Sequence, residues 1–197
     1  MTRFVRDSHG ASAVEFALVL PLLLLFLLGI IDAGRYMWTI NRAEKAAQMG
    51  VRMAIVTDYA SSALNTNYIG KCSPALKAGD PIPSDCADFT AITCSKAGAA
   101  PATCTTGTAN NTAFTRVVDR MQLFMPEIAD SNVDIVYSPS GLGYAGNPSG
   151  PDVAPLVTVS LSGITFSPIM LFSLASIDLP EVHSSLTFED GTGSQSN

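Results

Sequence analysis

From Phe16 to Ile31 the chain runs sixteen residues without a charge, eight of them leucine, between Glu15 and Asp32. As a helix this run measures about 24 Å, slightly short of a hydrocarbon core of about 30 Å. Starting at Ala11 gives 21 residues and a full span, but it places Glu15 inside the apolar segment. A carboxylate at that depth is costly unless something neutralises it. The chain therefore needs a partner for Glu15. A cut after Gly10 would supply one. Ala11 would become the N-terminus and Glu15 the fifth residue, and amines on neighbouring copies could meet the carboxylate inside a helical bundle.

Arg3 and Arg6 form a short positive flank before the apolar run. That flank predicts a cytoplasmic N-terminus and an extracytoplasmic remainder. A cleaved secretory signal shares the basic start and the apolar run. Two features count against it. The run is at the long end for a signal, and no small-x-small site is followed by an obvious mature start. Gly29 and Ala33-Gly34 come nearest. Helical character also continues well beyond Asp32, so a retained membrane helix is the reading preferred here.

The residues Gly10-Ala11-Ser12-Ala13-Val14-Glu15-Phe16-Ala17-Leu18-Val19-Leu20-Pro21 are followed by the leucine run and by Gly29-Ile30-Ile31-Asp32-Ala33-Gly34-Arg35. Together they closely resemble the TadE-like pseudopilins of bacterial tight-adherence (Flp-type) pilus systems. The resemblance is dense over residues 6–54 and looser over 132–189. It implies that residues 1–10 are a leader, removed by a membrane-embedded aspartyl prepilin peptidase that cuts between Gly10 and Ala11 on the cytoplasmic side. It implies other pilin or pseudopilin subunits and an inner-membrane assembly platform as partners. The expected location is the bacterial inner membrane, with a single pass, a periplasmic C-terminal domain and possible incorporation into an extracellular pilus. Gly10 suits a scissile position physically, because poor helix propensity lets the backbone open into a protease cleft. The chain departs from the archetypal major Flp pilin, which is very short. Its large domain moves it toward a minor or priming subunit.

Residues 11–31 are then the transmembrane helix and 32–58 its continuation. The expected class is α+β, pilin-like, with this long helix packed on a small antiparallel sheet domain. Pro21 removes one helical hydrogen bond and should kink or loosen the helix. It is either a tolerated membrane proline or a bend that helps the helix leave the bilayer and enter a filament. Ala46, Gly50 and Ala54 lie four apart, with Ala43 and Ala47 in the next row. Such rows let helices approach closely, but a helix packing on its own domain needs only an apolar stripe, and both readings stay open. Arg35, Tyr36 and Trp38 fit an interfacial belt at the outer leaflet. Unbroken from Ala11 to Thr57, the helix would be about 70 Å long and would project as a stalk.

Residues 59–111 show no long periodic window and are rich in small and polar residues. Cys72, Cys86, Cys94 and Cys104 all fall there. An even number in an oxidising compartment reads as two disulfides. The sequence does not separate the three connectivities; local pairing, Cys72 with Cys86 and Cys94 with Cys104, is preferred. Neither His9 nor His183 lies near the cysteines and no C-x-x-C occurs, so zinc is not expected. Residues 112–190 read as a helix plus antiparallel strands. Phe114, Val117, Val118 and Met121 follow a 3.6 period from Thr112 to Met125. Strands are expected at 132–138, 155–162 and within 177–189, where 182–188 is the pairing portion. The apolar run 167–174 is too short to span a bilayer. It is either a core segment or an exposed patch for a neighbouring subunit or the membrane surface. Residues 191–197 are read as a disordered tail.

The net charge of -6 argues against nucleic acid, which needs a basic surface. Gly141-Leu142-Gly143-Tyr144-Ala145-Gly146 matches the dinucleotide pattern. However, Asn147-Pro148-Ser149-Gly150-Pro151 follows and forbids the helix whose N-terminus would hold the pyrophosphate, so a mobile loop is expected instead. His183 with Ser184 and Ser185 is sequence adjacency, not triad geometry. Asp80, Asp85 and Asp88 lack calcium-loop spacing. No catalytic residue, metal or cofactor is assigned. Two other classes remain open: an uncleaved signal-anchored binding module, and a secreted enzyme or inhibitor released after the apolar run.

Overall fold

The computed structural model describes residues 11–148, 150–169 and 176–188, with the backbone alone at residues 11 and 12. Among the described residues there are two α-helices, α1 (Ala11–Ala54) and α2 (Asn111–Gln122), and two short 3-10 turns at Ser62–Asn65 and Asp130–Asn132. The strands are β1 (Ile92–Ser95), β2 (Thr103–Cys104), β3 (Val133–Ser138), β4 (Leu156–Leu161), β5 (Thr165–Phe166), β6 (Ile177–Asp178) and β7 (Val182–Thr187). The chain divides into two compact units. One holds Met1–Ile40 with Thr165–Asp178; the other holds Asn41–Ile164 with Leu179–Asn197. The α+β class expected from the sequence is present: a long apolar N-terminal helix and an antiparallel sheet.

The larger unit contains a five-stranded antiparallel sheet in the order β2-β1-β3-β4-β7. Alternation fixes its faces. Val133, Ile135 and Tyr137 stand opposite Leu161, Val159 and Val157, and all six are buried. Against this face lie two helical stripes. The stripe from α2 is Ala113, Phe114, Val117, Val118 and Met121. The stripe from α1 is Ala43, Ala46, Ala47, Val51 and Ala54, all at most 1% exposed. Small residues dominate the α1 stripe because α1 runs close to its neighbours. A Cβ on Gly50 would meet the Met121 side chain at 2.7 Å and Val159 Cγ1 at 3.3 Å. The small-residue rows left open above are therefore used inside this unit. Asn110 caps α2, its Oδ1 accepting from the N–H groups of Thr112 and Ala113. The Arg42 guanidinium forks onto the Glu127 carboxylate and also donates to the Phe124 carbonyl, which ties α1 to the turn after α2.

Two element boundaries differ from the sequence reading. α1 ends at Ala54 rather than near residue 58. Val56 N–H turns back to the Met53 carbonyl, a tighter closing turn. Thr57, Tyr59 and Ala60 are then buried in their own right. The second difference is in residues 59–111, expected from the sequence to be a disulfide-stapled loop region. β1 lies there and pairs with β3 from Ile92↔Tyr137 to Ser95↔Asp134, extending the sheet by one strand. β2 closes against it. Strands of four and two residues are too short for alternation to register over a sequence window.

The smaller unit joins the N-terminal part of α1 to the β5–β6 pair, in register Thr165↔Asp178 and Phe166↔Ile177. The Phe166 ring packs edge-on against Tyr36 at 5.5 Å. The Arg35 guanidinium sits 5.1 Å from the same ring.

Candidate functional site

Along α1 from residue 13 to residue 31 no side chain is buried. Leu18 is 74% exposed, Phe16 65% and Ile30 71%. A helix that is apolar on every side has no preferred face for one domain and suits lipid or a bundle of like helices. It is long and apolar enough to cross a membrane. Helical backbone is present from Ala11, the first described residue, and passes unbroken through Pro21, so the proline does not end the helix. The missing N–H at Pro21 leaves the Ala17 carbonyl without its usual donor.

Glu15 stands one turn into this cylinder, beside Phe16, and is exposed. Among the described residues its carboxylate has no hydrogen-bond or ion-pair partner. The cleavage position inferred from sequence lies at the limit of what is described: Gly10 falls outside the described residues, and Ala11 is the first of them.

The four cysteines pair as Cys72–Cys86 and Cys94–Cys104. Cys94 and Cys104 stand directly opposite each other across β1 and β2, so this bond staples the sheet's edge ribbon. Cys72 adopts φ 58, and among the described residues no other non-glycine residue has a positive φ. Its N–H donates to Asp88 Oδ2 at 2.6 Å. The Cys72 and Cys86 sulfurs and the Asp88 carboxylate lie within 4.8 Å of one another. With the sulfurs bonded together, however, the group offers no thiolate to a metal.

The glycine-rich stretch 141–146 opens no helix, as expected. It is also pinned rather than loose. Asp152, 5% exposed, accepts from the N–H groups of Tyr68 and Gly146 through Oδ2 and of Asn147 through Oδ1, at 2.7 to 3.0 Å. Gly143, at φ +109, packs against the Asp152–Val153 backbone, where a Cβ would clash. The loop's own carboxylate thus takes the backbone donors that a phosphate would need. His183 lies exposed on the edge strand β7, opposite Ser160.

Asp32, which the sequence marked only as the end of the apolar run, does more. It is 8% exposed. Its Oδ1 accepts from the Ile169 N–H at 2.9 Å and from Arg35 Nη1 at 3.1 Å. The apolar run 167–174 thus begins docked on α1; residues 170–174 lie outside the described residues. A signal for this docking exists only in retrospect, in a carboxylate within four residues of Arg35 and Tyr36 on one helical face.

Residues 10–52 match the family model described as TadE-like protein. No curated protein and no solved structure matches the chain.

Proposed function

We propose that this TadE-like chain is a pseudopilin or minor pilin, a structural or assembly subunit of a tight-adherence (Flp-type) pilus, and not an enzyme. The observation that carries the reading is Glu15: a carboxylate without a partner among the described residues of its own chain, one turn into a helix that is apolar on all sides. Such a group is tolerated in an apolar surrounding only when paired.

The steps are these. The precursor inserts with Arg3 and Arg6 on the cytoplasmic side. A prepilin peptidase cleaves the Gly10–Ala11 peptide bond and frees the Ala11 amine. That amine, in the same chain or a neighbour, becomes the cation for Glu15. Helices 11–31 of several subunits then pack together in the inner membrane, with Phe16 among the contacts, and Pro21 supplies local give as the helix moves from lipid to assembly. The disulfide-stapled domain lies on the periplasmic side. Partners are the peptidase, other pilin subunits and the inner-membrane platform.

Substitution of Glu15 tests this. Glu15→Leu in the source bacterium should leave membrane insertion and the level of the protein intact, while abolishing its co-purification with other pilus subunits. Unchanged co-assembly in Glu15→Leu would overturn the role given to the carboxylate.

A further inference from the structure

We infer that the β5–β6 pair is a second membrane-contacting element, which rests its apolar side chains in the outer interfacial layer beside α1. The inference rests on the membrane-anchor reading above and adds a contact which that reading does not contain.

Three observations carry it. The first is placement along α1. Phe166 packs on Arg35 and Tyr36, while Ile169 is held by Asp32. Three residues further along, the chain has thus moved from position 36 to position 32 of the helix. Four helical residues correspond to about 6 Å, and the direction is toward the apolar span, which ends at Ile31. The second is exposure. Pro168 and Phe166 are buried against this unit, but Ile169 is 46% exposed and Ile177 44% exposed. Ile169 lies level with the end of the span, where Ile30 and Ile31 are exposed as well, and Ile177 stands opposite Phe166, at the level of Arg35 and Tyr36. The third is the charge gradient. Asp178 stands at the outer end of the pair, opposite Thr165. From Ser167 to Ile177 the sequence carries no charge. A charge at Asp178 beside the exposed apolar side chains of Ile169 and Ile177 is the pattern of an interfacial element, whose apolar face sinks about 5–10 Å into the headgroup and acyl boundary.

Asp32 is the positioning residue. A buried carboxylate at the membrane edge is expensive unless satisfied. Here it accepts a backbone N–H of the docked segment and pairs with Arg35. It therefore fixes the depth at which Ile169 sits.

The experiment uses the full chain in lipid vesicles. Trp38 is the single tryptophan, so Trp38→Phe gives a dark background. Into it go Ile169→Trp, Ile177→Trp and, as a monitor of the span, Leu24→Trp. Emission is read with lipids brominated near the headgroup end or near the methyl end of the chains, and with aqueous iodide. The expected result is a blue-shifted indole at 169 and 177. Headgroup-end bromine should quench it more than methyl-end bromine, and iodide should reach it poorly. Adding Asp32→Ala should shift emission at 169 to the red. If Leu24→Trp is quenched by bromine while 169 and 177 respond only to iodide, the proposal fails and the anchor stands. Shielding of 169 and 177 from both quenchers would mean that protein, such as a second copy, covers them, and would also overturn it. If Leu24→Trp escapes bromine, the anchor reading itself fails. Using positions 169 and 177 together guards against one variant misfolding.

Discussion

Gly50 of α1 and Met121 of α2 are in contact so close that a single added carbon has no room: a Cβ on Gly50 would lie 2.7 Å from both Cγ and Sδ of Met121. The small-residue row of α1 is thus committed to its own domain. The stretch that remains available to other helices is the apolar cylinder before Asp32.

Gly50→Val should therefore destabilise the protein despite valine's better helix propensity. That propensity gain is a few tenths of a kcal/mol, while overpacking of this kind costs about 1–3 kcal/mol. A lower Tm of the purified protein in detergent is the expected outcome. An unchanged or raised Tm would mean that Met121 yields freely.

The disulfides predict a second stability series. Their sequence separations are 14 and 10. Loops of that size contribute about 3 kcal/mol each in the chain-entropy model. Replacing Cys94 and Cys104 together by alanine should lower Tm more than any conservative surface change, and it should loosen the β1–β2 edge first. Amide exchange at residues 92–105 checks this, with faster exchange expected there than in β4.

A third prediction concerns Tyr137, which is buried behind Tyr59. Its hydroxyl oxygen accepts from the Ala60 N–H at 3.0 Å, and the Tyr59 hydroxyl donates to the Val153 carbonyl at 2.8 Å. Tyr137→Phe strands a buried amide and should cost about 1–3 kcal/mol. Burial also pushes the Tyr137 phenol up to about 12 from 10.0. Burial raises Tyr59 too. The folded state therefore holds protons that the unfolded state releases. This contribution is fully present below about pH 10 and is lost as pH rises through the folded value. Alkaline unfolding should steepen above about pH 10, and Tyr137→Phe should flatten that slope. An equal slope in both would contradict the assignment.

The strong periodic signals in the sequence correspond to elements of the fold. The stripe at Phe114, Val117, Val118 and Met121 is α2, and the alternation of Val133, Ile135 and Tyr137 is β3. The apolar run of α1 is legible because sixteen uncharged residues admit few other structures. What escaped is short or long-range. β1 has four residues and β2 two, so neither shows a period. Asp152 holds the Tyr68 N–H across 84 residues, and Asp32 holds that of Ile169 across 137. Such pairings leave no trace in local composition. For the candidate site, the sequence placed Glu15 in an apolar helix. That its carboxylate has no partner among the described residues of its own chain became visible only in the structure.

The most direct test of the central claim is the N-terminal sequence of the mature protein, isolated from bacterial membranes. The expected start is Ala11, with a free amine and Glu15 as the fifth residue. A mature chain beginning at Met1 or Thr2 would contradict prepilin processing. It would leave α1 as a plain membrane anchor.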